Sequence, residues 1–196
     1  MDILGVVAAG VRCAVHAGAG RADDGGAHTR GRTVGASPHG RQPWRFVTTQ
    51  PEPKQRLAEA MLDTWQRQLA LEQPAVAAAR LQRSYERLTT TPLLVLLCLY
   101  LADLDVYPDD DRQAAETTMA IQSLGAAAEN MLLTAYSLGL DGGWMCAPLF
   151  CPEVVVEALD LDPRLTPHAL LAFGHAAAEP KRRPRLPLDE LVVHYE

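Results

Sequence analysis

A layered α+β domain, a mixed sheet with helices packed on it, is what this chain predicts. Three observations lead there. Strand-like and helix-like segments follow one another without the regular rhythm of βαβ units. The run from Leu93 to Tyr100 is continuously apolar and follows Pro92, as a strand buried on both faces would be. The stretch from Arg112 to Leu138 carries apolar residues at helical spacing and then meets Gly139.

Taken in order, Trp44 to Thr49 has the aromatic and β-branched content of a strand. Pro53 lies near a helix start, and Leu57, Met61, Trp65 and Leu69 then recur on one helical face. Pro74 ends that helix, and a second is predicted from about Ala75 to Leu88. Leu93 to Tyr100 is the central strand. Asp103 to Asp111 is acidic and contains Pro108, so it reads as a surface loop. In the long helix Met119, Leu124, Ala127, Met131 and Leu132 form the apolar side. Its Gly125-Ala126-Ala127-Ala128 permits close approach of another helix, from this chain or a second copy. Trp144 to Cys146 is a short strand, Pro152 opens a helix reaching about Leu159, and His168 to Phe173 is a further strand.

The chain has 196 residues, enough for one sizeable core. Hydrophobic residues make up 48%, so the chain as a whole is not disordered. A formal net charge of -6 argues against a nucleic-acid or anionic-membrane surface. No apolar run approaches the roughly 20 residues that span a bilayer. No basic leader precedes an apolar segment, so the expected location is cytoplasmic. Cys13, Cys98, Cys146 and Cys151 form no Cys-x-x-Cys pair and have no histidine at ligand spacing, so no zinc site is expected. The acidic loop lacks the glycine and distal glutamate of a calcium loop, and no metal site is assigned to it.

Residues 8 to 36 differ from the rest. They hold seven of the 14 glycines and no Leu, Ile, Met, Phe, Trp or Tyr. Such a stretch buries too little apolar surface to offset its ordering entropy, so residues 1–36 are set apart as an irregular segment and residues 37–196 as the folded domain.

Three segments carry chemistry. Ser37-Pro38-His39-Gly40-Arg41-Gln42-Pro43-Trp44 is a small-residue loop running into a strand. Backbone amides, one amide side chain and one aromatic suit a flat heteroaromatic ligand; an ordinary loop entering a strand has the same outline. Leu138 to Trp144 is a glycine-containing helix stop and strand start, followed by Ala147-Pro148-Leu149-Phe150. Glycines there let backbone pass close to a ligand. Pro180 to Leu188 gathers Lys181, Arg182, Arg183 and Arg185 in an acidic protein. Guanidinium forks suit a phosphate, although a solvated basic tail is the usual fate of such a run.

Together these segments resemble the nitroreductase family, whose flavin loop often reads Pro-Ser-x-x-Asn-x-Gln-Pro-Trp; Gly40 stands where that family usually has Asn. The resemblance runs from Ser37 to Glu196 and is nearest to the flavin domain of deazaflavin-cofactor biosynthesis proteins. It implies a mixed, mostly antiparallel sheet sandwiched by helices in an intertwined homodimer. It also implies flavin mononucleotide (FMN) in a groove built from both subunits. Cofactor-binding residues implied by the resemblance are Ser37, Pro38, His39, Gly40, Gln42, Trp44, Ala147, Pro148, Leu149, Phe150, Arg183 and Arg185. Leu149 and Phe150 would face flavin N5, and the two arginines the phosphate. Glu129-Asn130 resembles a Gln-Asn of the family's interface helix.

The implied activity is ping-pong reduction of a small flat electron acceptor by NADH or NADPH. The flavin carries the chemistry, so no general acid, base or metal is assigned. A reductase of deazaflavin biosynthesis and a non-catalytic flavin-binding remnant remain the alternatives.

The family's N-terminal Arg-x-Ser phosphate clamp is missing. Read one base later, the codons of Thr33 to Ala36 permit Leu-Trp-Ala, and those of His16 to Arg21 permit Thr-Pro-Glu-Pro-Val, as the family would show. Residues 8 to 36 are thus either an out-of-frame translation of such an N-terminus or a natural glycine-rich segment. Losing one charge-assisted hydrogen bond costs about 1.5–3 kcal/mol, or one to two decades of affinity. Restoring Arg-Arg-x-Ser in frame is therefore expected to raise flavin occupancy; equal visible flavin absorbance in both versions would contradict this.

Overall fold

A computed structural model describes residues 36–69, 74–179 and 184–192. The segment set apart above lies outside these residues, except for Ala36. The elements are β1 (Trp44–Thr48), α1 (Pro51–Gln68), α2 (Pro74–Thr90), β2 (Leu93–Tyr100), α3 (Asp110–Ser137), β3 (Asp141–Met145), α4 (Pro152–Ala158), β4 (Leu165–Gly174) and α5 (Leu188–Leu191). Short 3₁₀ turns cover Pro38–Gly40, Leu101–Asp103 and Ala147–Phe150.

Four strands form one sheet in the order β1-β2-β4-β3, each neighbouring pair antiparallel. β2 is central and seven of its eight residues are buried, which explains its unbroken apolar run. Its side chains alternate between two cores. Val95, Leu97 and Leu99 point to the α3 side, with Trp44, Leu171, Phe173, Leu124, Ala127 and Met131. Leu94, Leu96 and Cys98 point to the other side, with Leu57 and Met61 of α1, Leu88 of α2 and Val155 of α4. The result is three layers: α3, sheet, and α1/α2/α4.

α3 begins where Asp109 accepts the Arg112 N–H at 2.9 Å, with Asp110 and Asp111 in the first turn complementing the helix dipole. It ends as expected. Gly139 turns to φ 79°, and the Leu140 N–H returns to the Ala135 carbonyl at 3.0 Å. Among the described residues no helix is long and apolar enough to cross a membrane.

Two strands are longer than the sequence suggested. β3 starts at Asp141, three residues before Trp144, where its glycines pair with β4 and Gly142 lies close against Leu132 of α3, a Cβ there standing 2.5 Å from Leu132 Cδ2. β4 starts at Leu165, before His168. Its pairing with β2 steps from Ala169 opposite Leu97 to Pro167 opposite Cys98, leaving His168 as the extra residue of a bulge. Pro167 cannot donate to the ladder, and the bulge absorbs that defect. Burial holds the half-buried His168 imidazole below its ordinary pKa.

Candidate functional site

The loop before β1 is unusually contorted. His39, Gly40 and Gln42 have φ of 50°, 70° and 53°. Left-handed geometry costs an ordinary residue about 1–2 kcal/mol, and such strain gathers at functional sites. Local bonds hold the shape. Gly40 N–H donates to the Ser37 carbonyl at 3.2 Å, Arg41 N–H to the Pro38 carbonyl at 2.9 Å, and Gln42 N–H to Ser37 Oγ at 3.2 Å. Ser37 and Pro38 share a hollow of about 280 Å³ with Met119, Gln122, Ser123 and Ala126 of α3. Trp44 does not stand in that hollow. It is 4% exposed and packs in the α3-side core.

The turn after β3 borders a larger cleft. Trp65 of α1, Arg80 and Arg87 of α2, and Trp144, Met145 and Phe150 line a space of about 580 Å³, within the roughly 300–1,000 Å³ typical of small-molecule sites. Trp144 stands at the rim and reaches α3, where a Cβ on Gly125 would meet its Cη2 at 3.8 Å. Phe150 is 70% exposed, while Pro148 is buried and anchors the turn. Leu149 N–H donates to the Cys146 carbonyl at 3.2 Å, and Gln68 Nε2 donates to the Phe150 carbonyl at 3.2 Å, so α1 and the turn are tied together. Ala147 joins both the cleft and the α1/α2-side core.

Loop and turn occupy opposite edges of the sheet. β1 and β3 are the outer strands, three spacings of about 4.8 Å apart, or roughly 14 Å. The loop rests on α3; the cleft opens between β3, α1 and α2. Of the basic cluster, Lys181, Arg182 and Arg183 lie outside the described residues. Arg185 is exposed and makes no hydrogen bond or ion pair among the described residues.

Cysteine chemistry differs across the site. Burial pushes the Cys98 thiol up to about 12. Cys151 is also raised, by burial first and by the Glu153 charge second. Cys146 is exposed beside the cleft. Thiolate supply and access govern alkylation. Iodoacetamide is therefore expected to label Cys146 in the native protein and Cys98 and Cys151 only after unfolding. Peptide mass spectrometry showing Cys98 labelled at the Cys146 rate would contradict the burial described here.

Sequence reasoning missed several residues. The apolar stripe Leu57, Met61, Trp65 and Leu69 gives no sign that Trp65 borders a cleft with Arg80 and Arg87; a helical face bearing aromatic and guanidinium groups near a glycine-rich strand is the only available signal. Glu116 was missed as well. It is fully buried, four residues before Ala120 and eight before Leu124 on the apolar stripe of α3. A carboxylate within such a stripe was a signal in plain view.

Comparison with known proteins gives a consistent picture. The sequence model described as "Nitroreductase family" matches residues 17–175. A BluB-like flavoprotein from Clostridium difficile 630 superposes with a TM-score of 0.68 at 20% identity, over 100% of this chain and 91% of that one. A nitroreductase family protein from Streptococcus pneumoniae TIGR4 gives 0.65 at 16% identity, over 100% and 90%. The NADPH:FMN oxidoreductase from Vibrio harveyi, solved with NAD+, gives 0.57 at 20% identity, over 83% of this chain and 63% of that one. At these identities the structural likeness is one of fold.

Proposed function

The chain belongs to the nitroreductase family, and on that premise we propose that it is an FMN-dependent oxidoreductase reducing a small flat electron acceptor at the expense of NADH or NADPH. The observation that carries the reading is the cleft at the end of β3, lined by Trp65 and Phe150 and by Arg80 and Arg87, with Trp144 at its rim. This lining fits FMN: apolar walls match a flat ring system, and guanidinium groups match its anionic parts. When bound, FMN supplies a ring that accepts and returns hydride.

Every other part of the task falls to the chain. Ala147, Pro148, Leu149 and Phe150 hold the ring, and the aromatic walls keep water from it. Ser37, Pro38, His39, Gly40 and Gln42 form a second set of contacts, and Arg183 and Arg185 hold the phosphate. The loop and the turn lie at opposite sheet edges, so one cofactor reaches both only where two copies of the chain meet. A homodimer is therefore part of the proposal. The nicotinamide donor enters, is oxidised and leaves; the acceptor then uses the same opening, a ping-pong sequence.

The test is purification, a visible spectrum, and anaerobic reduction with each nicotinamide in turn. Flavin bands that bleach with one donor and return with a nitroaromatic or quinone acceptor are expected. A colourless protein that takes up no added FMN would overturn the reading.

A further inference from the structure

A second cluster lies on the α3 side of the loop. His39 Nε2 is 3.8 Å from Asp105 Oδ2 and 3.8 Å from Glu116 Oε2. One donor atom from each residue falls within 4.8 Å of the other two. Glu116 is completely buried, and among the described residues neither of its carboxylate oxygens has a hydrogen-bond partner. A buried carboxylate without a partner is strongly unfavourable, so such a group calls for a cation. His39 as it stands does not satisfy it, because 3.8 Å is beyond hydrogen-bond range.

We propose that His39, Asp105 and Glu116 bind one divalent transition-metal ion, with zinc the natural candidate. Metal–ligand bonds of about 2.0–2.2 Å at tetrahedral angles separate ligand atoms by roughly 3.3–3.6 Å, so each carboxylate need approach His39 by only a few tenths of an ångström, and the two carboxylates, within 4.8 Å, approach each other by at most about 1.5 Å. Two carboxylates carry two negative charges; Arg41, paired with Asp105, offsets one, and a divalent ion more than offsets the other. One nitrogen and two oxygen donors without a thiolate suit zinc, manganese or iron(II). Calcium needs six to eight oxygens and is not served.

The surroundings are arranged accordingly. Arg41 Nη2 donates to Asp105 Oδ1 and leaves Oδ2 turned toward His39, as outer partners orient metal ligands. The left-handed backbone at His39 and Gly40 is what brings the imidazole over the N-terminal half of α3. The His39 side chain is 52% exposed, so a fourth position opens to solvent. The ion fastens the loop to α3 and takes no part in electron transfer.

The experiment uses tag-free full-length protein, stripped with chelator and titrated with zinc by calorimetry, with metal content measured after dialysis. One zinc per chain and a higher thermal midpoint are expected. His39→Ala and Glu116→Gln should each weaken binding at least tenfold, while Cys146→Ser should bind as the parent does. If Glu116→Gln fails to fold, His39→Ala on the exposed loop reads the same site. No uptake by the parent protein overturns the proposal, as does uptake unchanged by His39→Ala or abolished by Cys146→Ser.

Discussion

Phe173→Ala is expected to destabilise the fold by about 3–5 kcal/mol, the usual range for emptying a buried aromatic site. Phe173 is 1% exposed on β4 and belongs to the core that joins the sheet to α3. It pairs with Leu93 on one side and Gly142 on the other. Its ring packs against Gly142, where an added Cβ would stand 3.5 Å from Phe173 Cε1 in ordinary contact and 2.5 Å from the Leu132 Cδ2 tip. Neighbours fitted that closely collapse poorly into a cavity, so relaxation recovers little. Urea denaturation monitored by circular dichroism measures the loss, and Phe173→Leu should cost roughly a third as much. A loss below about 1 kcal/mol for the alanine variant would mean that the α3-side core repacks freely, against the close fit described here.

Ser84→Trp tests the cleft itself. Ser84 is half-buried on α2 and lines the space opposite the turn after β3. An indole there fills a volume that the proposed reaction needs empty. Acceptor reduction should fall about a hundredfold in kcat/KM, equivalent to ~2.7 kcal/mol at the transition state. The fold should tolerate the change, because serine and tryptophan have similar helix propensities and the side chain points into open space. Steady-state kinetics and a thermal melt together decide the matter. Activity within twofold of the parent, with an unchanged melt, would remove the cleft from the reaction.

Much of this fold could be read from local sequence. Leu93 to Tyr100 has no polar side chain before Tyr100, and only a strand covered on both faces is built that way. α3 announced its end through Gly139, but its start was hidden: Asp110 and Asp111, which read as loop, form its first turn. Where local and tertiary preferences disagree, the sequence misleads. Asp141-Gly142-Gly143 has poor strand propensity, yet the strand forms there, paired with β4 and with Gly142 lying close under Leu132 of α3. Pro167 argues against a strand, yet a bulge admits it.

The site was legible in part for a similar reason. The loop from Ser37 and the turn from Ala147 are contiguous, and each shows as a motif. Trp65, Arg80 and Arg87 converge on the cleft only after α1 and α2 pack. His39, Asp105 and Glu116 meet across 77 residues of chain, and the acidic loop gave no hint that Asp105 would stand apart from its neighbours. The aromatic of the loop motif, Trp44, went into the core because β1 begins there and its register with Leu99 turns it inward.

The placement of the loop before β1 and the turn after β3 at opposite sheet edges has a genetic corollary. In a pair that shares its cofactors, a lesion in the loop of one chain and a lesion in the cleft of the other damage the same site only when it draws one part from each subunit. Co-expressing a chain altered at Gln42 with one altered at Ser84 would then assemble hybrid pairs in which one site inherits both defects and the other inherits none. Two inactive alleles would restore each other's growth phenotype or enzyme rate, an interallelic complementation unavailable to a protein that completes its site within one polypeptide.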